Sequence, residues 1–173
     1  MTDHNPDRVR ELQAELQKTL GLLARQRAFY DDFLAGDYQK LGRGKVAAIV
    51  VAEVLTDYYT CVETLFWRIS QFFENNLPAD RWHAEVLRKM TLQVDGVRER
   101  VLSDGTFARL DELRRFRHFR RYYFEFDYDW GKLDYLLTVY DGLTGLLARD
   151  LTGFERFLDS LARRLESEKE IRR

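Results

Sequence analysis

At 173 residues, 45% of them hydrophobic and including twelve Phe, nine Tyr and three Trp, the chain has enough apolar material to build one core without staples. A formal net charge of −1 excludes a globally basic nucleic-acid binder, so any RNA contact has to come from a local patch. The one cysteine, Cys61, excludes an internal disulfide and a multi-cysteine metal site, and two prolines and ten glycines leave long stretches unpunctuated. An all-α protein is expected, with residues 1–173 forming a single domain.

The first eight residues lack the charged and apolar regions of a signal peptide, and His4 sits in an end expected to be disordered. Asn5-Pro6-Asp7 reads as a helix start: a capping residue, a proline at the first position, and an acid against the dipole. Val9, Leu12, Leu16, Leu20, Leu23, Tyr30, Phe33 and Leu34 then recur at three- and four-residue intervals, and Gly36 ends this first helix. Leu41-Gly-Arg-Gly44 is a break. A second helix runs over about 45–75, with Val51, Leu55, Tyr58, Val62, Leu65, Phe66, Ile69 and Phe72 as a wide apolar stripe. Glu63 lies inside that stripe, either as an edge-exposed or hydrogen-bonded carboxyl group or as a functional one. The longest apolar run, 46–55, is cut by Glu53 and is shorter than the roughly 20 residues of a membrane span. A cytoplasmic protein without membrane contact is expected.

The second helix stops at 75–78, and Asp80 can cap a short third helix reaching Met90. Residues 91–104 read as a loop carrying Val94, Val97 and Val101. A fourth helix covers about 103–123, followed by an aromatic, acidic turn region over 124–131. A last helix runs from about 132, with a break expected at 150–153 and a fully charged, frayed tail at 163–173. The expected total is about five helices.

The densest chemical signal is Leu113-Arg-Arg-Phe-Arg-His-Phe-Arg-Arg-Tyr-Tyr-Phe124. At about 100° per residue, Arg114, Arg117, His118 and Arg121 share roughly a 100° sector of one helix, while Leu113, Phe116, Phe119 and Tyr123 face away from it. Phe116 and Tyr123 are expected to be buried and Arg117 and His118 to face a cleft. Tyr122 sits at the edge of the basic stripe, one turn after His118. Two readings fit the stripe: a site for phosphate or an acidic partner, or a charged surface that pairs with Asp127, Asp129 and Asp134. No Gly-rich phosphate loop, His-Glu-x-x-His or patterned nucleophile occurs. His83, following Trp82, reads as a cap or packing residue, and the acidic residues after 126 lack the ligand order of a calcium loop. Neither metal nor cofactor is expected.

Several segments together are similar to one family. Asp57-Tyr-Tyr-Thr-Cys-Val-Glu63, Leu77-Pro-Ala-Asp-Arg-Trp-His83, Leu87-Arg-Lys-Met90, Asp111-Glu-Leu-Arg-Arg-Phe-Arg-His118, Arg121 and Tyr-Asp-Trp130 occur in order over about 46–157. They resemble the HepT-like branch of the HEPN superfamily, toxins encoded beside minimal nucleotidyltransferase antitoxins. The resemblance implies a HEPN-like up-and-down helical bundle that pairs as a homodimer, with a composite cleft on the two-fold axis. It also implies metal-independent RNA cleavage by an Arg, four to six residues and then a His, with the 2′-hydroxyl attacking the adjacent phosphate. Arginine suits the phosphorane charge and histidine the proton transfer.

Residue by residue, the family arginine falls on Arg117 and the histidine position is Tyr122. A phenol with the ordinary pKa of about 10 is ionised to roughly one part in a thousand at pH 7. A tyrosine there donates a hydrogen bond but is a poor general base. His118, beside Arg117, offers proton transfer from another position, with Arg114 and Arg121 as further phosphate contacts. In such pairs the antitoxin silences the toxin by adding AMP to a tyrosine two residues after the motif histidine; that position is Phe124 here. Tyr122, Tyr123 and Tyr128 are the nearby hydroxyls for AMPylation, and inhibition by binding alone is the other route. Three functions follow: an RNA-cleaving toxin, a catalytically degenerate HEPN module that binds a nucleotidyltransferase partner or RNA, and a helical protein of another system sharing only the fold.

Overall fold

The computed structural model describes residues 5–74 and 82–171. The expected stop at 75–78, the Asp80 cap and His4 lie outside the described residues. Six helices follow in order: α1 (Pro6–Ala35), α2 (Asp37–Leu41), α3 (Lys45–Phe73), α4 (Trp82–Lys89), α5 (Asp104–Tyr122) and α6 (Trp130–Ile171). The described residues contain no strand, only an isolated bridge between Val94 and Arg98.

α1 begins as its sequence dictates. The Asn5 side chain accepts from the Asp7 amide at 3.1 Å, and Pro6 occupies the first turn, where no amide partner is needed. Val9, Leu12, Leu16, Leu23, Tyr30 and Phe33 are buried along one stripe. α3 buries a wider face, from Ala47 through Val51, Leu55, Tyr58, Val62 and Ile69, as suits the most enclosed helix of a bundle. α1 packs on α3 and α6, and α5 packs on the same two helices without touching α1. α3 and α6 are thus the shared spine. Tyr140 of α6 meets Tyr30 of α1 and Tyr58 of α3 edge to face, with centroids 5.5 and 4.9 Å apart.

Three expectations change. The short α2 falls between the expected end of the first helix at Gly36 and the expected break at 41–44, so the described residues hold six helices rather than about five. α6 is unbroken through 150–153 because Asp150 turns its carboxyl group away from its own backbone. It accepts from the Ser103 amide, the Ser103 hydroxyl and the Thr106 hydroxyl at 2.8, 2.8 and 2.6 Å, joining α6 to the start of α5. The charged tail stays helical to Ile171 instead of fraying, with Arg163 bridged to Asp159 at 3.0 Å.

Between α4 and α5 the chain forms a tight turn. Gly96 takes φ 73°, and Val94 and Arg98 exchange two 2.9 Å backbone hydrogen bonds around it. The amides of Val101 and Leu102 both donate to the Met90 carbonyl, which seats these two buried side chains under α4. The resulting turn delivers α5 to the α3–α6 spine.

Candidate functional site

The core stripe of α5 is Thr106, Leu110 and Leu113, all fully buried. Continuing the same three- and four-residue spacing leads to Arg117 and Arg120, only about 40° from the Leu113 direction and 20° from it respectively. Arg117 therefore lies on the docked side of the helix, beside the leucines rather than opposite them. The face of α3 that it meets carries Glu53, Thr56, Thr60 and Glu63 at matching intervals. The α3–α5 contact begins as a hydrophobic packing and turns into a polar seam.

Within that seam, Arg117 Nε donates to Thr60 Oγ1 at 2.9 Å, and its Nη2 lies 3.6 Å from Glu63 Oε2. Arg120 pairs with Glu53 and donates to Tyr128 Oη at 3.3 Å. The pairing with Glu53 holds Arg120 above the usual guanidinium range, against the opposing effect of its burial, which is the largest single influence. Glu63 is 3% exposed, and its other oxygen lies 2.8 Å from His83 Nδ1 on α4. Burial, with Glu63 beside it, pushes the Tyr59 phenol far above its ordinary range. Glu63 thus ties α3 to α4 and α5, and His83 is its partner across twenty positions of sequence. Glu63 and His83 each stand out in the sequence, but nothing there shows that they meet.

A cleft of about 520 Å³ opens over the seam, lined by Thr56 and Thr60 of α3, by Arg117, Arg120 and Arg121 of α5, and by Tyr123, Phe124, Phe126 and Tyr128 of the segment that follows α5. Its lining has three arginines and no carboxyl side chain. Arg121 is exposed and makes no ion pair among the described residues. Arg114 lies outside the cleft, held by Asp111 at 2.7 Å.

His118 does not line the cleft. It is exposed on the neighbouring face of α5, its ring 5.2 Å from that of Tyr122 and inclined by 64°. The expected burial of Phe116 and Tyr123 is corrected: both are only half-buried, and Phe119 is 45% exposed. The reason is the register just described, which centres the docked face on Leu110 and Leu113 and leaves these rings at its margin. They pack on one another instead, Phe119 stacking on Tyr123 at 4.7 Å.

Of the three candidate tyrosines, Tyr123 Oη donates to the Asp127 carbonyl and Tyr128 Oη accepts from Arg120. Tyr122 is 63% exposed, and its hydroxyl makes no hydrogen bond among the described residues. Also among the described residues, no group of three or more His, Cys, Asp or Glu side chains is placed to hold a metal ion. None of the helices described is long and apolar enough to cross a membrane.

A family model described as HepT-like protein matches residues 50–158. The chain belongs to the HepT-like family. The matched span begins early in α3 and ends in α6, so it contains the polar seam, the cleft and the Glu63–His83 pair, while α1 lies outside it. No curated protein and no solved structure matches the chain.

Proposed function

We propose that this HepT-like chain is the toxin-like ribonuclease of a toxin–antitoxin pair, acting in the cytoplasm as a homodimer. Residues 1–173 then work as one HEPN domain. The observation that carries the reading is Arg117, oriented by Thr60 and Glu63 at the wall of a carboxyl-free, arginine-lined cleft. A guanidinium fixed in this way is pre-organised for a phosphate, since little reorientation remains to be done when the anion arrives. Arg121, without an ion-pair partner of its own, is the second phosphate contact, and Arg114 reaches RNA further along the helix.

The reaction is an internal transfer. The 2′-oxygen of one nucleotide bonds to the adjacent phosphorus while the bond from phosphorus to the 5′-oxygen of the next nucleotide breaks. One strand keeps a cyclic phosphate and the other a 5′-hydroxyl. A base takes the 2′-hydroxyl proton and an acid returns one to the leaving oxygen. No divalent ion takes part in this route. His118 is the group suited to both transfers, supplied from the exposed face of α5 toward a two-fold axis where a second copy adds its own Arg117. Tyr122 serves as hydrogen-bond donor at its edge. The antitoxin is a minimal nucleotidyltransferase, and Tyr122, with its uncommitted hydroxyl, is the AMP acceptor in preference to Tyr123 and Tyr128.

The second reading is a degenerate module that only binds its nucleotidyltransferase partner or RNA. It is favoured by His118 standing outside the cleft and by Tyr122 at the motif position. Incubating the purified protein with RNA in EDTA and analysing product ends separates the two. Cleavage in EDTA with cyclic phosphate ends is expected; loss in EDTA with recovery in magnesium overturns the metal-free route. His118→Ala should abolish cleavage, Tyr122→Phe should keep most of it, and Arg117→Ala should lower it by about a hundredfold or more. If Tyr122→His alone cuts RNA, the wild-type site is degenerate. If neither protein cuts, only binding remains.

A further inference from the structure

Phe124 and Phe126 follow α5 directly and stand 85% and 63% exposed. Both line the arginine cleft. Apolar rings normally leave water, and Tyr123 and Tyr128 on either side of them are half-buried. Tyr123 packs on Phe119 and lies 5.6 Å from Tyr128, which in turn lies 6.3 Å from Phe116. The segment carrying the two phenylalanines is pinned on both sides. Tyr123 Oη donates to the Asp127 carbonyl at 3.1 Å, and Tyr128 Oη is bonded to Arg120. Two rings are thus held out over a cationic cleft by a segment whose other aromatics are committed to packing.

A ligand that satisfies both walls needs an anion for the arginines and a flat apolar surface for the rings. A nucleotide unit has both, provided that its base is unpaired. In an A-form duplex the bases are stacked inside and cannot reach a side-chain ring, whereas a single strand splays its bases onto aromatic residues. A cleft of about 520 Å³ is within the range of sites for a ligand of that size.

We propose that Phe124 and Phe126 are a stacking platform for an unpaired base whose neighbouring phosphate lies on Arg117 and Arg121, so that the cleft selects single-stranded over double-stranded RNA. The proposal rests on the RNA reading above and names the strand that this site takes. Stacking accepts any base, so it sets the state of the strand and not its sequence.

The test uses the full-length protein and a short fluorescent RNA, 2′-O-methylated throughout so that it cannot be cut, either single-stranded or annealed to its complement. Polarisation titrations should show the single strand bound at least about tenfold more tightly than the duplex. The double variant Phe124→Ala/Phe126→Ala should lose about tenfold or more for the single strand and little for the duplex. Phe124→Trp/Phe126→Trp, which keeps the rings, should bind the single strand at least as well as the wild type. Equal binding of both RNAs by the wild type, or single-strand binding undiminished in the alanine variant, overturns the platform. So does a change in sedimentation of the alanine variant, which would mean that the rings cover a second copy of the chain. Cleavage of unmodified RNA, measured in parallel, tests the ribonuclease reading separately. A protein that cuts RNA without needing the rings keeps that reading and loses the platform. One that needs the rings to bind but never cuts does the reverse, and one that does neither loses both.

Discussion

The Arg98 guanidinium has no exposed surface. It donates to Glu74 Oε1 at 2.9 and 2.5 Å and to the carbonyls of Leu92, Lys89 and Glu99 at 2.9, 2.8 and 3.3 Å. Replacing it by Met strands three carbonyls and one side of Glu74, which should cost about 3 kcal/mol in urea unfolding. Burial works against ionisation of Glu74, but hydrogen bonds from Lys89 and Arg98 outweigh it and hold the carboxyl group below its ordinary value of 4.5. A carboxyl group depressed in this way stabilises the fold fully above its unfolded-state pKa, and the contribution disappears as pH falls through the lower, folded value. Stability should therefore decline below about pH 4.5, and Glu74→Gln should flatten that decline. None of this cluster stands out in the sequence, because its members are ordinary charged residues until a turn brings them together. The same holds for Glu63 and His83. Each is visible alone, but their pairing depends on how α4 returns to α3.

For whole helices, legibility followed the length and purity of the pattern. α1 and α3 carry their apolar spacing through about eight turns and are plain from the residues. α5 spans the residues expected of it, but the face it docks is turned from the expected one. Two arginines occupy the positions where its core stripe continues, and a wheel that separates cations from apolar residues cannot reveal that the cations dock. A break in α6 is expected because Asp150 and Gly153 are locally poor helix formers, while the acceptor role of Asp150 is a tertiary matter. An added methyl group at Gly145 or Gly153 meets nothing within 4 Å. Gly145→Ala and Gly153→Ala should each raise stability by about 0.5–1 kcal/mol in thermal unfolding. Asp150→Ala should do the opposite by about 2 kcal/mol, with faster amide exchange confined at first to the opening turn of α5.

At the scale of the whole molecule, a net charge of −1 offers RNA no long-range attraction. Binding then depends on a few local contacts. With three arginines in the cleft, the logarithm of affinity for single-stranded RNA should fall against the logarithm of salt with a slope of about −2, shallow for a nucleic-acid binder. The homodimer is the other commitment at this scale. A dimer in sedimentation equilibrium at about ten micromolar is expected, and a monomer there would remove the shared two-fold cleft from the mechanism. The all-α bundle and the family were legible because both rest on patterns spread over a hundred residues. The cleft was legible only in its basic half, since the aromatic wall forms where the chain leaves helical geometry.

Glu63 divides its two oxygens between a helix that lines the cleft and one that does not. An anion seated on Arg117 competes with Glu63 for a single guanidinium, and whatever hold Glu63 gives up there becomes available to His83. Occupancy is then linked to the anchoring of α4, and by reciprocity a looser α4 weakens the anion. Hydrogen exchange across 83–89 should slow when the cleft is filled, although no residue of that stretch borders it.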